Sequence, residues 1–375
     1  MIQSRFVRFV RPLAFLACLA LAGTYSVPAF ADDTSPTYAR TGVIPVPGKP
    51  LQSFDISFVE RSSQTYYLAD RSNKAVDVFD ASTDTFVTRV AGFVGASPLG
   101  NEHSGPDGIV VVHDQNELWA GDGDSTVKVI DLGTNQIVAD ISTGGTARAD
   151  ELSYDQKDKL ILVANDADDP PFVTFIDTRS RQVVGKISFP DATNGLEQSV
   201  WDPATHLFYQ TIPQVGADPD TGGVAVIDPD TRSVVATRTV KNCQPAGLAL
   251  GPKQHLLLGC SGDNGVLQTR GAQVQVMDAR TGDVLVVITK VGGADEVWYN
   301  PGDKHYYVAA RNNPGGPVLG VIDAMSDTWI QNVGTGPNAH SVAANPINRH
   351  IYVPLRPNAA IPGCANGCIG VYQQQ

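Results

Sequence analysis

Val127-Lys128-Val129-Ile130-Asp131 is the stretch whose reading decides the fold. Apolar and variable positions alternate through it with a period of two, the pattern of a strand with one face against a core. The phrase returns as Val76–Asp80, Val173–Asp177, Val224–Asp228, Val274–Asp278 and Leu319–Asp323, and a seventh copy, Ile369–Gln373, has lost the aspartate. Successive copies lie 45 to 51 residues apart. A fixed period in that range belongs to stacked or radially arranged units. The aspartate ends each strand, and a Ser or Thr usually follows it three residues later, as in Asp80-Ala81-Ser82-Thr83 and Asp278-Ala279-Arg280-Thr281. Such side chains hydrogen-bond nearby amides and favour a tight reversal into the next strand.

Working outward, each repeat divides into four strands. The second reads Asp107–Val111 (a), Glu117–Ala120 (b), Val127–Asp131 (c) and Gln136–Ile141 (d), and the same order fits the later repeats. The last repeat has strands a, b and c and then stops. A segment resembling its missing d strand, Arg40–Val46, stands at the other end of the chain. Pairing the two ends closes a ring and leaves no long sheet edge exposed. The expected fold is all-β: a seven-bladed β-propeller of four-stranded blades, closed by the N-terminal strand.

Ahead of the repeats, Arg5, Arg8 and Arg11 precede an apolar run from Leu13 to Ala22, and Ala29-Phe30-Ala31 has the form of a cleavage site. Residues 1–31 read as a signal peptide, with 32–375 as the mature single domain, exported to the periplasm or secreted. No later segment is apolar enough to cross a membrane. Removing three arginines takes the formal charge from −12 to −15. A chain this acidic, with no Lys/Arg run, is poorly suited to nucleic acid or an anionic membrane. Four cysteines remain after cleavage. Cys243 precedes one strand and Cys260 ends the next, with a turn near Pro252-Lys253 between them, while Cys364 and Cys368 share one loop. In an exported protein these read as two disulfides.

The segment His305-Tyr306-Tyr307-Val308-Ala309-Ala310-Arg311-Asn312 is followed by Val-Ile-Asp, a valine-bearing d strand, a Gly-x-Gly and then Asn345-Pro346. In this it resembles the YVTN-repeat propellers (YncE-like proteins) over nearly the whole mature chain. The resemblance implies an exported propeller and leaves function open, because the family is functionally diverse. The GH…WD pairing of WD repeats and the Ser-x-Asp-x-Gly-x-Thr-Trp boxes of sialidases are absent. Virginiamycin B lyase and the gluconolactonase-type lactonases are similar in being propellers with an axial metal site, but none of their catalytic motifs carries over.

The long, irregular connections are the b–c loops, and loops displayed by a rigid scaffold usually carry function. Where strand a begins on that face, next to the channel, the aligned repeats place Asp55, Asp107, Asp150, Glu197, Ala246, Asp295 and His340. Glu151, Gln198 and Glu296 follow one step later. Crowded carboxylates raise one another's pKa unless a cation or donors offset the repulsion. Asp107, Asp150, Glu197 and Asp295 are therefore candidate ligands for Ca²⁺ or another divalent cation. Hairpin register sets Asp55 opposite Arg71, Asp295 opposite Arg311 and His340 opposite Arg356, so ordinary cross-strand pairs are the competing reading. Arg71, Arg311 and Arg356 fall on contiguous blades, facing an acidic arc that includes Asp122, Asp166 and Asp168. With His340, the three arginines form a candidate crescent for a carboxylate or phosphate. The four tryptophans, Trp119, Trp201, Trp298 and Trp329, fall on strands and read as packing residues.

Two function classes follow. One is a monomeric binding or scaffold protein that holds a small-molecule, peptide or protein ligand on the b–c loop face, over an acidic channel mouth. The other is a metal-dependent hydrolase, lactonase or lyase, with the cation as Lewis acid and His340 or Glu151 carrying the proton.

Overall fold

The computed structural model describes residues 37–262 and 269–375. The proposed signal segment, and the part of the Ser261–Gln273 connection between 263 and 268, lie outside the described residues. Among the described residues there are seven four-stranded antiparallel sheets, each running a to d in sequence order. The exception is blade seven, where Tyr38–Pro45 takes the outer position and pairs antiparallel with Cys368–Gln374. The innermost strands contact one another in ring order, with blade seven meeting blade one. The expected seven-bladed propeller and its closure are both present. Among the described residues, no helix is long and apolar enough to cross a membrane.

The aspartate at the end of strand c builds the same turn in blade after blade. Asp131 Oδ1 accepts the Thr134 amide at 2.8 Å and its hydroxyl at 2.9 Å, and Asp177 does the same with Ser180 at 2.8 and 2.9 Å. Four residues after each such aspartate the chain takes a left-handed φ: Asp84, Asn135, Arg181, Arg232, Gly282 and Asp327 all lie between 50° and 81°. A bulge follows at one repeated place in strand c, after Val78, Val129, Phe175, Val226, Val276 and Val321. The phrase that marks the repeats thus fixes the c–d hairpin, its local twist and its register together.

The apolar core is split into seven layers, one between each pair of neighbouring blades. Between blades two and three, for example, Val112, Trp119 and Val129 pack against Ile161, Val163 and Ile176. A blade sheds both of its faces into such layers, so its b and c strands read as nearly continuous buried runs. Strand d alternates between exposed and half-buried positions, as in Gln136–Ser142. Disulfides join Cys243 to Cys260 and Cys364 to Cys368, as expected. With the core arranged between blades, the axis is left to side chains from strand a and the connections leading into it. Two cavities open along it, one at each end.

Candidate functional site: a divided channel mouth

The b–c and d–a connections surround one cavity of about 760 Å³. One backbone pattern sets the residues around it. The amides of Asp55, Asp107, Asp150, Glu197 and Asp295 each donate to a strand-b carbonyl, those of Ala69, Gly121, Ala164, Thr211 and Ala309, at 2.8–3.2 Å. The residue after the ring position then reaches the next blade. The amides of Gly108, Gln198 and Glu296 donate to the carbonyls of Asp150, Ala246 and His340 at 3.0, 3.2 and 3.1 Å. The acids aligned by sequence are therefore equivalent in space, but their side chains meet different surroundings.

On the side formed by blades one to three, four aspartates are paired with guanidiniums. Arg71 donates through Nη2 to Asp55 at 2.6 Å and also to Asp107, through Nη1 to Asn101 at 2.8 Å, and through Nε to the Pro106 carbonyl at 3.3 Å. A second buried guanidinium, Arg148, lies 2.9 Å from Asp150 and 2.7 Å from Asp166. Burial alone would raise the Asp55 carboxyl, but Arg71 and then His340 outweigh it and hold it below the ordinary range. Asp107 is fully enclosed, and burial pushes its carboxyl well up despite Arg71. His340 stacks on Phe54 with ring centroids 4.8 Å apart. Its Nδ1 lies 2.8 Å from the Asn338 carbonyl and its Nε2 3.4 Å from Asp55.

Beyond this cluster the compensation ends. Glu151 is 5% exposed, and among the described residues its carboxylate has no hydrogen-bond or ion-pair partner. Glu197, half-buried, has none either. Glu296 accepts from the Ser341 hydroxyl at 2.8 Å and the Val342 amide at 3.3 Å through Oε2, while Oε1 is buried and unpartnered. All three carboxyls are pushed well above the usual range. Burial is the first cause; next come Asp55 and Asp295 for Glu151, Asp295 for Glu197, and Glu151 for Glu296. On the rim, Arg311 pairs with Asp295 at 2.8 Å. Arg356 is half-buried with an unpartnered Nε, and burial followed by the nearby Arg311 charge lowers its pKa.

Each residue singled out from sequence can now be placed. Asp55 does face Arg71 and Asp295 does face Arg311, whereas His340 turns to Asp55 and not to Arg356. Every nitrogen of Arg71 is engaged in the wall, which separates it from Arg311 and Arg356 as a ligand-facing group. Of the four proposed metal ligands, Asp107 and Asp150 come together, and it is Asp55 that joins them, with one carboxylate oxygen from each within 4.8 Å. That trio is a poor fit for a divalent cation, because two guanidiniums already contact its carboxylates. Asp295 is held by Arg311, leaving Glu197 as the one uncompensated member of the set.

Sequence reading missed Arg148. The signal was present: two steps before each ring position stand Ser53, Gly105, Arg148, Gly195, Gln244, Gly293 and Asn338, and only one of these is charged.

No family model matches the chain, and no curated protein matches it in sequence. Among solved structures, a chain of Kuenenia stuttgartiensis hydrazine synthase is similar with a TM-score of 0.67 and 17% identity, over 88% of this chain and 97% of that one. A chain of a mitotic checkpoint complex is similar with a TM-score of 0.66 and 14% identity, over 97% of this chain and 98% of that one. At such identities the likeness is one of fold, and the fold they share with this chain is the β-propeller.

Proposed function

We propose that the chain is an exported binding protein, of the YVTN-repeat kind its sequence resembles. In this reading the axial mouth holds a small ligand bearing both charges. Its cationic group, an amine or a bound divalent ion, lies against Glu151, Glu197 and Glu296. Its carboxylate or phosphate lies against Arg356 with Arg311. The observation that supports this most is the placement, in one cavity, of carboxylates without counter-charges and an arginine without a carboxylate. Groups left in that state are destabilised by desolvation and mutual repulsion, and a ligand of opposite charge relieves both.

The test is thermal-shift screening of the purified protein against amino acids, short peptides and Ca²⁺, followed by calorimetry on whatever shifts the melting temperature. Zwitterions should stabilise more than a simple amine or a simple carboxylate. Arg356→Ala should remove the preference for the anionic group, and Glu197→Gln the preference for the cationic one. Equal binding by wild type and both variants would refute the proposal. Stoichiometric metal in the untreated protein, lost in Glu151→Gln/Glu197→Gln, would identify the cationic component as a metal ion and direct the search to ester and lactone hydrolysis.

A further inference from the structure

The opposite end of the axis is built differently. A second cavity, of about 1080 Å³, opens between the a strands and the a–b turns. Its inner walls are mainly apolar, with Phe58, Val110, Val200, Leu248 and Trp298, while Glu60, Arg61 and Lys157 line it at the a–b turns. Phe58 and Trp298 meet edge to face with centroids 5.6 Å apart, although they belong to blades one and six. The intervening strand a of blade seven is only Ala343–Ala344, and these small side chains leave room for the two rings to touch. Trp298 and Trp201, read from sequence as packing residues, here remain half-buried on the wall of an open cavity. A concave, mainly apolar space of this size suits a bound apolar group.

The floor of this cavity carries polar groups. Glu151, Gln198 and Ile56 line it, and the same three residues line the mouth at the other end, so they form the waist between the two cavities. Gln198 is tied down: its Oε1 accepts the Leu248 amide of the next blade at 2.7 Å. Glu151 occupies the equivalent ring position, is more than nine-tenths buried and has no partner among the described residues. We propose that this cavity is a second binding site, for an amphiphilic cation whose hydrocarbon chain lies against the strand-a walls and whose ammonium meets Glu151 at the waist, in competition with the cationic group of the mouth ligand for that one carboxylate. Charge complementarity selects that occupant over an anionic or neutral amphiphile: among the described residues shared by the two cavities the one charged group is the Glu151 carboxylate, which lacks a counter-charge, and Arg61 and Lys157 stand away from it at the a–b turns.

Isothermal titration of the purified protein with decyltrimethylammonium, decyl sulfate and decyl glucoside, each below its micelle concentration, tests the assignment. The cation should bind saturably and at least tenfold more tightly than the other two. Glu151→Gln should bring the cation to the level of the glucoside and leave the glucoside unchanged. Val200→Arg, which projects a long cation from the wall, should abolish binding of the cation, while Arg356→Ala on the far rim should not affect it. If Val200→Arg fails to fold, quenching of tryptophan emission by a bromine-bearing decyltrimethylammonium analogue locates the chain, and Trp298→Phe should reduce it. Absence of saturable binding, equal affinity for cation and anion, an unaltered Glu151→Gln, or quenching indifferent to Trp298→Phe would each overturn the proposal.

Discussion

Two groups of acids share the ring around the channel, and a guanidinium contacts only one of them. Asp55, Asp107, Asp150 and Asp166 surround Arg71 and Arg148. Glu151, Glu197 and Glu296 stand at the entries to strand a of blades three, four and six, with no ion-pair partner among the described residues. The paired acids are aspartates and the unpaired ones glutamates, with Glu151 and Glu296 one step beyond the ring position. The deciding factor is whether a guanidinium reaches the carboxylate. Where one does, the carboxylates join blade to blade: Arg71 connects blades one and two, and Arg148 holds the connection leading into blade three against its own b–c loop. Where none does, charge is held at a cost in desolvation that only protonation or a ligand removes.

The largest effect should come from removing the compensation. Arg148→Met leaves Asp150 and Asp166 buried without their cation and is expected to destabilise the fold by ~3–5 kcal/mol in urea unfolding. Adding Asp150→Asn and Asp166→Asn should recover most of that loss, and failure to recover it would show that Arg148 acts through packing. Next is Gly108→Ala. A Cβ there would fall 2.3 Å from the Asp150 carbonyl, at the point where blades two and three hydrogen-bond. A loss of ~1–3 kcal/mol is expected from such overpacking.

Smaller and of opposite sense is the pH response of the uncompensated half. A carboxyl whose folded pKa is raised binds its proton more tightly folded than unfolded. Its stabilising contribution is complete below the unfolded value and is lost as pH rises towards the folded one. Each such carboxyl contributes a slope of at most ~1.4 kcal/mol per pH unit. Melting curves from pH 5 to pH 8 should therefore fall less steeply for Glu151→Gln than for wild type. A control lies off the axis, in blade one. There, burial and then the neighbouring Asp70 push Asp77 up to about 8 against the pull of Arg89. Asp77→Asn should remove a separate portion of the same decline. The smallest effect on stability belongs to Arg356→Ala, within ~0.5 kcal/mol, because no ion pair is broken. Its consequence should appear in ligand affinity alone.

The architecture was legible because the turn chemistry is local. An aspartate, a hydroxyl three residues on and a left-handed residue after that specify one hairpin wherever they occur, and six repetitions remove ambiguity. The ring positions were legible for the same reason, since alignment on the turns carries backbone register with it. The partition of charge was not legible. Arg71 reaches Asp107, 36 residues away, and an arginine in a d–a connection gives no sign in one dimension of which carboxylates it will meet. The apolar cavity was hidden too, because residues such as Val200 and Trp298 alternate along their strands just as core residues do.

Closure of the ring by Tyr38–Pro45 brings the two ends of the described chain together: the Gln375 amide donates to the Thr37 carbonyl at 2.8 Å. The last blade is therefore assembled from segments about 330 residues apart, and the outer edge of Cys368–Gln374 stays unpaired until Tyr38–Pro45 docks on it. Deleting Tyr38–Pro45 or Cys368–Gln374 would remove a clasp rather than a tail. Conversely, a short linker joining Gln375 to Thr37, with new ends cut in any exposed c–d turn, would turn that clasp into an ordinary hairpin and move the last-formed contact to a blade of the experimenter's choosing.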